Sequence, residues 1–252
     1  KMISSDSVAR RIVRGLLDRL GLLEVTRRVR QRARLELYTL PQNRLSAADV
    51  EKIYGSEYHA KAGYGATIVG PDSGWEPDDV IKDAHASAIL EIWPLNKVLI
   101  GGCSSGMTVL AVRRKSVDAW GFEIAPDLDK IVLPQVRDYV RRGSMTSIPF
   151  DETDEFEALI TTDVLEHVQL NNIDKMLSEF RRIGVRKMVH LINHTRMSPD
   201  HMTLKPLGWW ERKMEKYGFL RRKDLRTRNW NNPRIYGLND DPEHTYTFWE
   251  RR

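Results

Sequence analysis

Residues 97–106 read Lys97-Val98-Leu99-Ile100-Gly101-Gly102-Cys103-Ser104-Ser105-Gly106, and this stretch decides the fold. Its apolar, partly β-branched run predicts a strand buried on both faces, and the glycines and serines behind it let the backbone turn sharply into a helical pattern. Open α/β sheets bind their ligands at such strand-to-helix turns. Downstream, apolar runs at 119–123, 158–161 and 187–192 alternate with helical patterns near 106–115, 126–140, 172–184 and 207–217. That alternation predicts a doubly wound, mostly parallel sheet with helices on both faces. The last strand candidates, 219–225 and 245–249, are joined by a long polar segment instead of a helix, which predicts an antiparallel hairpin at the sheet edge.

Upstream, the chain divides in two. Residues 1–40 form a basic amphipathic helical extension, with Val8, Ile12, Leu16 and Leu20 at helical spacing and then Val25, Val29, Ala33 and Leu37. Residues 8–34 hold nine arginines against Asp18 and Glu24, a surplus larger than the net charge of +5 for all 252 residues. The stripe in residues 6–37 suits packing on the main domain or a second subunit. It also suits peripheral contact with an anionic membrane face, where each basic group contributes roughly 1 kcal/mol. Because the remainder is slightly acidic, nucleic acid is the less expected partner. Residues 41–77 are loop-like and lid-like, with Tyr54, Tyr58 and Tyr64 near Gly55, Gly63 and Gly65. Residues 78–252 make the main domain, opened by a helix carrying Val80, Ile81, Ala84, Ala88 and Ile92.

Composition is that of a globular protein, 41% apolar and 8% aromatic, long enough to bury a sizeable core. Cys103 is the only cysteine, so an internal disulfide and a cysteine zinc cluster are both excluded. With no apolar run of transmembrane length and no secretory pattern, the expected location is cytoplasmic, with the inner membrane face as a peripheral alternative.

The turn alone does not name a ligand, but Glu123 narrows the choice. It closes the second strand about twenty residues on, where a carboxylate accepts both hydroxyls of a ribose. A dinucleotide fingerprint fails in either frame. From Gly101 the second glycine would be Cys103; from Gly102 the second and third would be Ser104 and Met107. No phosphate-loop lysine motif is present either.

These residues resemble the class I S-adenosylmethionine-dependent methyltransferases, whose first motif reads roughly VLDxGCGxG. Further motifs resemble theirs in order: Gly121-Phe122-Glu123-Ile124, then Gly143-Ser144-Met145 with Ile148-Pro149-Phe150, then Asp163-Val164-Leu165-Glu166-His167-Val168. The resemblance covers about residues 80–220. It implies a Rossmann-like seven-stranded sheet, mostly parallel with an antiparallel last strand, and S-adenosylmethionine as cofactor. It further implies that Gly102, Cys103, Ser104 and Gly106 face the methionine part, with Asp163 nearby. Glu123 would hold the ribose, Ile124 would lie on the adenine, and Ser144 and Met145 would stand at its edge. Three positions depart from the pattern: the usual acid of the first strand is Ile100, the middle glycine is Ser104, and the usual adenine-reading Asp is Ser144.

For chemistry, the candidates are His167 as proton acceptor with Asp163 and Glu166 beside it. Their D-x-x-E-H spacing groups oxygen and imidazole donors that suit a divalent ion such as magnesium, with His201 as a later ligand. The pattern is similar to E-x-x-E-H in metal-assisted O-methyltransferases. The segment His194–Trp210 combines histidines, basic groups and paired tryptophans, so His194, His201 and Trp209, with Tyr64 from the lid, are the expected acceptor contacts. The expected activity is methylation of a hydroxyl on a small molecule, sugar or glycan precursor. RNA methylation and a non-catalytic assembly role are the alternatives.

Overall fold

The computed structural model describes residues 22–61, 78–225, 235, 237, 238, 241 and 244–252. Seven strands form one sheet: β1 Lys97–Gly101, β2 Asp118–Glu123, β3 Val140–Arg142, β4 Ala158–Thr162, β5 Lys187–Leu191, β6 Phe219–Arg221 and β7 Tyr246–Arg251. Their order is β3-β2-β1-β4-β5-β7-β6. The first five are parallel, and β7 runs antiparallel to both β5 and β6. The order reverses between β1 and β4, which makes their carboxyl ends the switch point of the sheet. Gly101 stands opposite Phe122 on one side and Thr161 on the other, so the glycine turn, Glu123 and Asp163 emerge along one rim.

Pleating sorts β1 between two cores. Val98 and Ile100 join Ile81, Ile89, Val109, Val112 and Phe248 on one face. Leu99 joins Phe122, Leu159, Leu177, Phe180, Met188 and Trp249 on the other. The first face is covered by α4 (Asp78–Ile92) and α5 (Met107–Arg113), the second by α7 (Ile173–Arg182) and α8 (Leu207–Lys216). In α7 the buried residues Ile173, Met176, Leu177 and Phe180 recur at the spacing of one helical face. Each such side chain contributes roughly 1.5–3 kcal/mol when fully buried.

Two expectations need correction. The helix foreseen over 126–140 is broken into the single turn α6 (Leu128–Ile131), a 3-10 turn at Pro134–Tyr139, and then β3. Pro134 lacks a donor and holds Leu133 extended at ψ 135°, so no helix passes through it. The segment beyond residue 40, expected to be loop, is helical where it is described. Ser46 and Asp49 form a reciprocal capping box that starts α2 (Ala47–Ile53), and α3 (Ser56–Lys61) follows. Residues 62–77, with Tyr64, lie outside the described residues, as do residues 1–21.

The described part of the basic extension is α1 (Leu22–Thr39). Leu35 and Thr39 are buried and Lys205 Nζ binds Glu36 Oε1 at 2.8 Å, fixing its carboxyl end, whereas Val25, Val29 and Leu37 are exposed. No helix among the described residues is long and apolar enough to cross a membrane.

The turn after β1 has little freedom. Gly102 sits at φ +62°, and a Cβ there would lie 2.7 Å from Val164 Cγ2. Gly102→Ala should therefore destabilise the fold by about 1–3 kcal/mol through backbone strain and crowding. Urea unfolding checks this, and an unchanged midpoint would contradict the packing described.

Candidate active site

Three residues in five adopt left-handed backbone after β1: Gly102 at φ +62°, Ser104 at +49° and Gly106 at +80°. For serine that conformation costs about 1 kcal/mol or somewhat more, and the site compensates. The Ser104 N–H donates to Glu123 Oε2 at 2.7 Å, and Ser104 Oγ lies 2.8 Å from His59 Nδ1. Glu123 Oε1 in turn accepts from the Ile124 N–H at 2.7 Å. Oε1 also accepts from the Ala125 N–H at 3.4 Å, so the carboxylate is locked in orientation and Oε2 keeps a lone pair for a further donor such as a ribose hydroxyl. Gly106 has a different task from the one expected. It does not line the cavity, and a Cβ there would meet Val136 at 2.7 Å, so it allows the turn to pack.

These groups line a cavity of about 1130 Å³, counting its open mouth. Gly102, Cys103, Ser104, Glu123, Ile124, Ser144, Met145 and Asp163 all reach its wall. Across from them stand Tyr54, Tyr58 and His59 of the α2–α3 segment, with His167, Gln169 and Asn172. The segment is latched by its own polar groups. The Tyr54 hydroxyl donates to the Asp200 carbonyl at 3.2 Å, the Tyr58 hydroxyl to Asp200 Oδ2 at 2.7 Å, and the Ser56 N–H to Asp127 Oδ1 at 3.0 Å.

His167 follows β4 in a 3-10 turn, Leu165–His167. Its Nδ1 lies 3.1 Å from the Asp200 carbonyl and 3.2 Å from the Tyr54 hydroxyl. A carbonyl only accepts, so Nδ1 carries the proton and Nε2 keeps its lone pair. Burial pulls the imidazole down to about 4 against the opposing pull of the Asp200 charge, so it is neutral at physiological pH.

Glu166 is fully buried and absent from the cavity wall, which corrects the catalytic role expected of it. Its Oε1 accepts from the Asn193 N–H at 2.9 Å, and its carbonyl accepts from the Met202 and Thr203 N–H groups at 2.8 Å each. Burial, helped by the Asp163 charge, pushes its carboxyl well above the usual range. It ties the 3-10 turn to the loop after β5.

Asp163 reaches the wall at φ +53°, with its Oδ1 2.5 Å from His244 Nε2. Burial works to raise this carboxyl, but the hydrogen bond and charge of His244 outweigh it and hold it below its ordinary value. Burial likewise opposes charge on His244, yet Asp163 raises it. The pair is therefore ionic, and Asp163 is committed to His244. Of the four expected metal ligands, the structure brings three together: Glu166, His167 and His201 offer ligand atoms all within 4.8 Å of one another.

The expected acceptor contacts lie elsewhere. His194 is buried, its Nδ1 2.9 Å from the Lys205 carbonyl, and its imidazole is lowered to about 4 by desolvation. His201 Nδ1 lies 2.7 Å from the Arg196 carbonyl, and its ring meets that of His167 edge-on at 4.8 Å. Trp209 packs edge-on against buried Trp210, with Lys213 over its ring. None of the three reaches the cavity wall, because each straps the 193–210 loop or fills the second core. Tyr64 lies outside the described residues. Sequence reasoning missed His59, Lys82 and His244, which sit in no motif. The one available signal was Lys82, a lysine set between Ile81 and His85 on the face that α4 buries.

Residues 99–187 match the family described as a methyltransferase domain. No curated protein matches the chain by sequence. Among solved structures, magnesium protoporphyrin IX methyltransferase from Synechocystis PCC 6803 with bound SAH aligns at TM-score 0.60 and 11% identity, over 82% of this chain and 100% of that one. With bound SAM the same enzyme aligns at 0.58 and 12% identity, over 81% and 96%. A protein from Pyrococcus horikoshii OT3 aligns at 0.56 and 13% identity, over 78% and 99%. At these identities the likeness is one of fold. Residues 99–187 thus resemble a methyltransferase domain, and the sheet they help to build has the fold of the S-adenosylmethionine-binding methyltransferase structures it aligns with.

Proposed function

We propose that this chain methylates a hydroxyl of a small molecule or sugar, with S-adenosylmethionine as methyl donor. One observation carries the reading: a locked ribose acceptor, Glu123, and a neutral imidazole, His167, line the same cavity. When bound, S-adenosylmethionine supplies a methyl carbon activated by positively charged sulfur. Glu123 holds the ribose, Ile124 and Met145 provide apolar contact for the base, and Ser144 stands at its edge. Tyr54 and Tyr58 give the facing wall aromatic rings, a lining suited to stacking on a sugar or ring acceptor.

His167 Nε2 orients the acceptor hydroxyl and takes its proton as the new O–C bond forms and the C–S pair returns to sulfur. An imidazole of pKa about 4 is a weak base for an intact hydroxyl. It is adequate here, because an oxygen that has begun to bond carbon is far more acidic than an imidazolium. His167 serves late in the displacement and chiefly positions the nucleophile before it.

A labelled-methyl assay across sugar and small-molecule pools tests the reading. His167→Ala should lower turnover by about 10²–10⁴-fold while leaving affinity for S-adenosylhomocysteine nearly intact. The wild-type rate should hold through neutral pH and fall only as the pH drops through about 4, where the imidazole charges. An acid limb at the ordinary histidine pKa would sink the assignment. Methylation of RNA alone, or cofactor binding without turnover in any pool, would favour the two alternatives instead.

A second reading is favoured by the cluster behind His167. His167 and His201 each have Nδ1 committed to a backbone carbonyl, which leaves Nε2 as the metal-facing atom. Glu166 Oε2 is buried with no hydrogen-bond partner among the described residues. Two imidazoles and one carboxylate suit zinc, manganese or iron; magnesium prefers oxygen ligands. In this reading Glu166 and His201 would hold the ion from behind the cavity and His167 from its wall, and the ion would supply positive charge there in place of direct proton transfer to His167. Manganese or zinc titration of the wild type should release heat, and Glu166→Gln and His201→Ala should abolish it. No heat, with activity indifferent to chelator, would leave the imidazole mechanism alone.

A further inference from the structure

We infer that Asp78 and Lys82 hold the amino-acid end of the cofactor, Lys82 taking the carboxylate and Asp78 the ammonium. The inference rests on the cofactor assignment above and adds residues to it.

The starting point is a gap. The class that the first motif resembles carries an acid where this chain has Ile100, and Ile100 is packed into the core at 3% exposure. β1 therefore offers no carboxylate for an ammonium group. Asp163, the nearby carboxylate on the rim, is committed to His244. Glu123 stands at the far end of β2 and is held by Ser104 and Ile124. A cavity that takes a zwitterionic amino acid needs one anion and one cation side by side, away from the nucleoside end.

The first turn of α4 provides them. Asp78 and Lys82 are one helical turn apart and both line the cavity, with Lys82 Nζ 3.8 Å from Asp78 Oδ1. Their side chains are only 17% and 8% exposed. Lysine is seldom so buried without a charged partner, and Asp78 is one such partner. A desolvated anion and cation side by side match the ammonium and carboxylate of a zwitterion, which adds charge-assisted hydrogen bonds without changing the net buried charge. Lys82 also helps to hold the Asp163 carboxyl low, which places its charge toward the β4 rim. α4 is rigidly mounted, since Ile81, Ala88 and Ile89 of the same helix are core residues.

Two ligands test this on the full chain. S-adenosylhomocysteine carries the amino-acid end, whereas 5′-methylthioadenosine has the same nucleoside and thioether without it. Calorimetry should show Lys82→Met and Asp78→Asn each weakening S-adenosylhomocysteine by about tenfold or more. Both should leave 5′-methylthioadenosine within about twofold of wild type. Lys82→Arg should retain most of the discrimination, and Glu123→Ala should weaken both ligands. Equal losses for both ligands in the Lys82 and Asp78 variants would make the pair merely structural and overturn the proposal. So would unchanged affinities, or a loss confined to the KM of the acceptor. A wild-type chain that binds neither ligand would remove the cofactor assignment itself, and the proposal with it.

Discussion

The structure turns on a single carboxylate. Glu123 ends β2 and accepts N–H groups from Ser104, in the turn after β1, and from Ile124, in its own exit. Those two donors belong to chain segments leaving adjacent parallel strands, so one side chain ties both exits together. Hydrogen bonds to a charged group contribute roughly 1.5–3 kcal/mol each. The bonds therefore hold the turn in a conformation that serine resists and aim the carboxylate at the cavity. Ladder pairing alone, with Gly101 opposite Phe122, fixes the strands but not the turn beyond them.

The same economy governs the opposite wall. The loop after β5 has little secondary structure of its own, so its backbone is satisfied from outside. Glu166 takes three of its N–H groups, the imidazoles of His194 and His201 lie against the Lys205 and Arg196 carbonyls, and the Tyr54 hydroxyl meets Asp200. That network explains why histidines drawn from a promising motif lie behind the cavity. They are spent on holding a loop whose outermost part, at Asp200, positions His167 and receives Tyr54 and Tyr58.

Where periodicity and backbone demands dominate, the sequence was readable. The strands at 97–101, 158–162 and 187–191 are short, apolar and flanked by turn residues, and the edge pair closes on β7 as its polar connection suggested. Glu123, Ile124, Ser144 and Met145 reach the cavity because strand ends, not distant contacts, place them. Reading failed where one residue overrode a pattern, as Pro134 does in the stretch expected to be helical. It failed again where function depends on partners far apart in sequence. Nothing near His244 announces that it neutralises Asp163, and nothing near His59 announces its bond to Ser104. Gly106 looked like a ligand contact because glycine spacing cannot distinguish a backbone that approaches a ligand from one that approaches Val136.

The carboxylates around the rim share a property that the proposed chemistry requires. Among those that line the cavity, Glu123 is bound to backbone N–H groups, Asp163 to His244 and Asp78 to Lys82. A methyl donor with positively charged sulfur loses that charge in the displacement. An uncommitted carboxylate beside the sulfur would favour the charged ground state over the more dispersed transition state, and only interactions stronger in the transition state accelerate the step. With these three acids already paired, the wall would stay polar enough to orient ligands without holding such a cation back.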